Sequence, residues 1–328
     1  MAAFAHSAPC WVDVQLPDLE AGKRFYGELF GWTFRPGEEV ERSGPGVDAL
    51  SGGKLVAALA AKQDGRMPTA WGIYFATDDI GATVTRIRQA GGQVITEPVR
   101  VGSAGVLAQA ADPGGAVFGL WQAGDRSGFQ KQNEPVSFCW TEVYTRQKDR
   151  VDAFYERVFG FRGTDLGAAG MGESGGGESG TREPGTGESE TPESPESPES
   201  ESPESESPES ETPESETPES GPVGSGIGRS GADMPGADFR MWSPAGTEPG
   251  PDTAIGGRSV ITDAFPAEMP SYFLNYFAVA DCDATVEAGV HLGGRVSVPP
   301  FEIPYGRMAV LHDNQGAEFA VLQPPVSR

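Results

Sequence analysis

Apolar and polar positions change period within the first thirty residues of the chain. CWVDVQL (10–16) alternates with period two, as a strand with one buried face does, whereas LEAGKRFYGELF (19–30) gathers Leu19, Phe25, Tyr26, Leu29 and Phe30 on one face of a helix. Asp18 stands where a helix cap belongs and Gly31 where a helix stops. Short apolar runs punctuated by glycine follow, VDALS and KLVAALAA, and read as strands. AWGIYFAT then restarts the scheme, with a helix capped near Asp79 and closed by Gly91 and Gly92, and with strands around QVITEP, GVLAQAA and AVFGLWQ. One strand, one helix and three further strands make a module.

The scheme is used again. CWVDV (10–14) returns as CWTEV (139–143) and FYGELFG (25–31) as FYERVFG (154–160), both at an offset of 129. YFATDDIGATV (74–84) returns as YFAVADCDATV (276–286) at an offset of 202, and DPGGAVF (112–118) as DNQGAEF (313–319) at 201. The chain is one two-module unit used twice, and the jump in offset places an insertion in the second copy. The pattern predicts an α+β protein of four βαβββ modules in two domains, with helices outside and curved sheets inside. The expected domains are residues 1–127, then 128–171 together with 223–328.

Composition explains the jump. From Gly172 to Pro222 no Ala, Val, Ile, Leu, Met, Phe, Trp, Tyr or Cys occurs, and 16 Glu against one Arg supply 15 of the 24 excess negative charges. Repeats of ESPES and ETPES cannot bury enough apolar area to offset the entropy of ordering their backbone, so 172–222 is expected to be a disordered acidic insert. Either repeat slippage in a tolerant loop or a partner-binding tether accounts for it. An acidic chain with no Lys/Arg cluster repels a phosphate backbone, which argues against nucleic acid. No apolar run is long enough to span a bilayer, and MAAFAHSAPC lacks the pattern of a secretory signal, so the expected location is the cytoplasm and no membrane is involved. Cys10, Cys139 and Cys282 contain no CxxC pair and read as buried thiols.

The Asp18…Phe25-Tyr26…Phe30-Gly31 helix ending, its copy Phe154-Tyr155…Phe159-Gly160, the Gly-Gly helix stops and the DPGG-type turns, in this order and duplicated, resemble the vicinal oxygen chelate superfamily. That superfamily includes glyoxalase I, extradiol dioxygenases and bleomycin-resistance proteins. The look is that of its two-domain actinobacterial members, labelled glyoxalase-like or hydroxylase. The resemblance implies glyoxalase/bleomycin-resistance-type domains whose paired modules form cups. In members with metal chemistry, His, Gln or Glu side chains on the first and last strands hold a divalent ion in the cup. Those first-strand positions fall here on Trp11, Gly72, Trp140 and Leu274, and the last-strand positions of the second and fourth modules on Gly119 and Ala320; that of the first and third modules does not fall on one fixed residue, but KLVAALAA holds no His, Glu or Asp. None can ligate a divalent cation. His6, His291 and His312 are not placed to replace them, so no metal and no other cofactor is expected.

Strand parity says what lines the cups instead. Trp11 shares its face with Asp13 and Trp140 shares its face with Glu142, while Gly72 brings Tyr74, Leu274 brings Tyr276 and Gly119 brings Trp121. Trp11, Asp13, Tyr74, Trp121, Trp140, Glu142 and Tyr276 are therefore the candidate ligand-binding residues. A tryptophan, a carboxylate and a tyrosine suit a small aromatic or cationic metabolite, by stacking and cation–π attraction. The competing structural reading is that Trp11 and Trp140 fill core. The alternative function is a metal-independent lyase, isomerase or hydroxylase-like enzyme with Asp13 or Glu142 as general base and the tyrosine as proton partner. A third possibility is an inert fold carrying a functional acidic tether. Four modules in one chain complete their own cups, which allows a monomer as well as a homodimer.

Overall fold

A computed structural model describes residues 4–37, 46–66, 68–166 and 238–325. The acidic insert expected at 172–222 lies outside the described residues. Within them all four modules have the expected order. The first runs β1 (Pro9–Leu16), α1 (Leu19–Phe30), β2 (Thr33–Pro36), β3 (Gly46–Ser51) and β4 (Lys54–Ala61). The second is β5 (Trp71–Ala76), α2 (Ile80–Gln89), β6 (Gln93–Val101), β7 (Gly105–Ala111) and β8 (Val117–Ala123). The third is β9 (Ser137–Thr145), α3 (Lys148–Phe159), β10 (Arg162–Leu166), β11 (Phe239–Ser243) and β12 (Gly256–Val260). The fourth is β13 (Tyr272–Ala278), α4 (Cys282–His291), β14 (Arg295–Ile303), β15 (Gly306–His312) and β16 (Glu318–Gln323). No helix among the described residues is long and apolar enough to cross a membrane.

Capping chemistry sets the helix starts. Asp18, Asp79 and Asp281 each accept a hydrogen bond from the backbone N–H three residues on, at 2.9 Å. Gln147, at the start of α3, makes no such bond. Helices α1 and α3 end on Gly31 and Gly160 in the left-handed region, φ 67° and 71°, which a side chain rarely adopts.

Each half forms an eight-stranded mixed sheet, in the orders β2-β3-β4-β1-β5-β8-β7-β6 and β10-β11-β12-β9-β13-β16-β15-β14. The first strands of paired modules lie side by side and antiparallel at the centre, Trp11 opposite Tyr74 and Trp140 opposite Tyr276. Period two then divides each sheet. One face carries the cup; the other carries Val12, Val14, Trp71, Ile73 and Phe75 in the first sheet and Val143, Phe273 and Phe277 in the second. These second faces join in one hydrophobic core that also takes the helices of both halves.

The halves interlock through their helices, α1 against α4 and α2 against α3. Tyr26 of α1 donates its hydroxyl to Asp313 in the turn before β16, at 2.8 Å. Tyr155 of α3 donates to Asp112 in the turn before β8, at 3.2 Å. The other oxygen of each aspartate closes its own turn, accepting from Gly114 and Ala116 or from Gln315 and Ala317. Asn275 of β13 accepts from its strand neighbour Thr141 of β9 at 2.8 Å and, across to the other sheet, donates to the Trp71 carbonyl at 3.1 Å. Buried polar groups thus find partners across the join, as burial demands. The two halves form two sheets with a single core between them.

Candidate functional site

In the first cup, β1 delivers Trp11 and Asp13, β5 delivers Tyr74 and β8 delivers Trp121, around a cavity of about 110 Å³. Tyr74 donates its hydroxyl to Asp13 at 2.8 Å. Two glycines make the fit. A Cβ at position 72 would stand 2.7 Å from the Asp13 carboxylate, and one at position 119 would stand 2.0 Å from the Tyr74 ring. Burial pushes the Asp13 carboxyl up to about 6, against the lowering effects of the Tyr74 hydrogen bond and of Arg126.

Two further charged residues line this cup that the sequence reading did not select. Asp48 of β3 is buried, and it accepts from Arg126 at 2.8 Å and from the more exposed Arg35 at 3.3 Å. The Arg126 guanidinium also lies 4.2 Å over the Trp11 ring, and its carbonyl accepts from the Trp121 indole N–H at 2.9 Å. Asp48 is visible as the charged residue of VDALS. Arg126 follows β8, where alternation has ended, and carried no periodic signal.

The second cup brings together Trp140, Glu142 and Tyr276 around a larger cavity of about 190 Å³. Glu142 accepts from the Trp140 indole N–H at 3.0 Å and from the Ser259 hydroxyl at 3.2 Å. Burial raises its carboxyl, while hydrogen bonds from Trp140, Tyr276, Ser259 and Tyr144 pull it back. Phe239, Met241, Phe301, Ile303 and Tyr305 complete a wall with no charged member. Tyr144 was missed although it continues the 140, 142 parity; it stacks on Tyr272 at 5.1 Å and closes the far end of this face. All seven residues selected from the sequence thus lie in the two cups, four in the first and three in the second.

The Asp13 environment gives a stability test. Its folded-state value lies above the ordinary 3.8, so its contribution is full below that value and is lost as pH rises through about 6. Asp112 is raised to about 6 as well, so the wild-type slope alone is ambiguous. The expected result is that the melting temperature of wild type minus that of Asp13→Asn falls as pH rises from about 4 to about 7. A difference that is flat in pH would contradict the buried state of this carboxyl.

The sequence profile of the Glyoxalase/Bleomycin resistance protein/Dioxygenase superfamily matches residues 9–120. The protein named "Putative glyoxylase CFP32" of Mycobacterium tuberculosis (strain CDC 1551 / Oshkosh) is 30% identical over 326 residues, covering 98% of this chain and 96% of that protein. The chain belongs to this superfamily. The anthracycline biosynthesis protein DnrV of Streptomyces peucetius is also 30% identical, over 341 aligned positions that cover 98% of this chain and 95% of DnrV. Among solved structures, the 2,3-dioxygenase LapB from Pseudomonas sp. KL28 superposes with a TM-score of 0.53 at 12% identity, covering 97% of this chain and 93% of LapB. The Mn(II)-bound glyoxalase from Novosphingobium aromaticivorans gives 0.51 at 13% identity, covering 97% and 83%. At such identities these two establish the fold alone.

The positions that the resemblance assigns to metal ligands have the following surroundings. Trp11 and Trp140 wall the cups, Gly72 clears the Asp13 carboxylate, and Gly119 clears the Tyr74 ring. Leu274 and Ala320 pack in the cluster beneath the second cup. Among the described residues no group of three or more His, Cys, Asp or Glu side chains converges. His6 lies beside Asp78, His291 against the Glu287 carbonyl and His312 against Ser297, all outside the cups. Cys10 and Cys282 are buried, but Cys139 is only partly so and borders the second cup. Burial pushes its thiol up to about 12, which leaves it a poor nucleophile.

Proposed function

We propose that the protein binds a small, flat, largely apolar aromatic metabolite in the second cup, without a metal ion. The observation that carries this is a cavity of about 190 Å³ walled by Trp140, Tyr276, Phe239, Phe301 and Tyr305, with one carboxylate, Glu142, at its base. Aromatic walls favour a stacked ring, and Glu142 with Tyr276 supplies an acceptor and a hydroxyl to orient a polar substituent. The volume lies below the roughly 300–1,000 Å³ of drug-sized sites, which points to a ligand of one or two rings. The superfamily's divalent ion is left out of this reading because the residues do not fit it: a glutamate at 119 would collide with Tyr74, and among the described residues no group of three or more His, Cys, Asp or Glu side chains converges around Glu142. A cationic ligand fits the first cup poorly, since Arg126 already covers the Trp11 face.

A titration of the full chain with 2-naphthol, followed by calorimetry, tests this. Trp140→Ala is expected to weaken binding by about 1–3 kcal/mol, the loss of a stacking wall, and Glu142→Gln by about 1 kcal/mol, whereas Trp11→Ala leaves it unchanged. Equal binding by wild type and Trp140→Ala would refute the assignment.

One observation favours a second reading, proton transfer in the first cup. Asp13 sits near 6 and is hydrogen-bonded to Tyr74, a pairing suited to general acid–base work near neutral pH. In that case Asp13→Asn would abolish turnover while leaving 2-naphthol binding in the second cup intact.

A further inference from the structure

The cups descend from one duplicated unit, so a chemical difference at equivalent places marks a difference in what they hold. In the first sheet Asp48 pairs with Ala58, which pairs with Asp13; in the second, Met241 pairs with Gly257, which pairs with Glu142. Met241 therefore occupies the place of Asp48. At the offset of 201, Leu322 takes the place of Trp121, and the sequence has Ser327 where Arg126 would recur. Among the described residues the lining of the second cup has no counterpart of Asp48 or Arg126.

Their arrangement sets one guanidinium, that of Arg126, against the cavity. Asp48 is shared by two guanidiniums, those of Arg126 and Arg35. Among the described residues the Arg126 side chain makes one hydrogen bond, through Nη2, and it is only 18% exposed. Its remaining N–H groups keep the forked geometry that grips a carboxylate. The groups facing Asp13 are Tyr74 on β5, Asp48 on β3 and Arg126 after β8, with Cys10 behind Tyr74. Asp13 becomes neutral on taking one proton; the charges of the lining, Arg126 against Asp48, then balance, and Arg35 adds a positive charge from the groove side. A more open groove of about 600 Å³, shared at Gly37, Asp48, Ala104, Arg126 and Gly128, leads from solvent to this place. The rest of the wall, Val101, Leu107 and Trp121, is apolar.

We infer that the first cup is a second, separate site that takes a small monocarboxylate, its carboxylate held by Arg126 and its apolar body against Leu107, Val101 and Trp121. This rests on the reading of the cups as ligand sites, but on a different ligand chemistry from the second cup. The 110 Å³ cavity limits the body to about one ring.

Calorimetry of the full chain with benzoate, benzamide and benzamidine separates charge from shape, because the three share one ring. Benzoate is expected to bind about tenfold or more tighter than benzamide, and benzamidine weakest. Arg126→Gln should remove the preference for benzoate, while Trp140→Ala in the other cup leaves it in place. Should Arg126→Gln fail to fold, wild type still decides: benzoate should tighten from about pH 8 to about pH 6 with uptake of a proton, read from buffers of different ionisation enthalpy. Benzamidine binding as tightly as benzoate, an unchanged preference in a folded Arg126→Gln, affinity flat in pH, or no saturable benzoate binding would each overturn the inference. Failure of 2-naphthol to bind would refute the aromatic site and leave the benzoate result standing.

Discussion

Residues 1–127 expressed alone are expected to yield no folded monomer. In the full chain Phe25, Tyr26, Phe30, Trp32, Trp71, Phe75 and Phe118 are each at most 4% exposed, and much of what covers them comes from the second half. Phe30 and Trp71 lie 5.4 and 5.0 Å from Phe277, and Phe75 lies 5.1 Å from Phe159. Each aromatic side chain stripped of its cover forfeits about 1.5–3 kcal/mol, against a total domain stability of about 5–15 kcal/mol. Because the halves are copies, an isolated half has one way to recover this loss. Two copies can reproduce the join, with Tyr26 of one reaching Asp112 of the other as Tyr26 now reaches Asp313. Sedimentation should therefore show a dimer or an unfolded chain. A monodisperse monomer with a cooperative melt would refute the shared core.

Tyr155→Ala is expected to cost about 3–5 kcal/mol, a fall in melting temperature on the order of 10 °C for a folded chain of this size. The side chain is fully buried, with Trp242 at 4.5 Å and Phe118, Phe159 and Phe161 at about 6 Å between ring centroids. Its removal leaves a cavity, and it also takes away the hydroxyl that satisfies Asp112 from the other half. Tyr155→Phe separates the two effects. It keeps the ring and loses the hydrogen bond, so a loss of about 1 kcal/mol is expected. Thermal melts of the two variants check this, and equal losses would mean that the Asp112 contact, rather than ring packing, holds α3 in place.

The elements and both cups were legible because each rests on short-range regularity. Period two put Trp11 with Asp13 and Trp140 with Glu142, the aspartate caps set the helix starts, and the duplication turned one reading into four modules. What the sequence left hidden was long-range pairing. Tyr26 and Asp313 each sat within a repeat motif, but they are 287 positions apart, and no local periodicity joins a helix of one half to a turn of the other. Arg126 escaped for a different reason. It lies past the last strand of its sheet, yet it turns back over Trp11 and fills the cation–π place that the sequence reading had left for a ligand. With Asp48 it separates two cups of common descent into one lined by an ion pair and one whose single charged lining residue, among those described, is Glu142.

The measurement that bears most directly on the central claim is native mass spectrometry of the tag-free full chain, incubated with manganese, zinc and 2-naphthol and then desalted. The account expects a one-to-one naphthol complex without a stoichiometric metal adduct, and loss of that complex in Trp140→Ala. A stoichiometric metal ion on which naphthol binding depends would contradict it and return the cup to the metal chemistry of the superfamily.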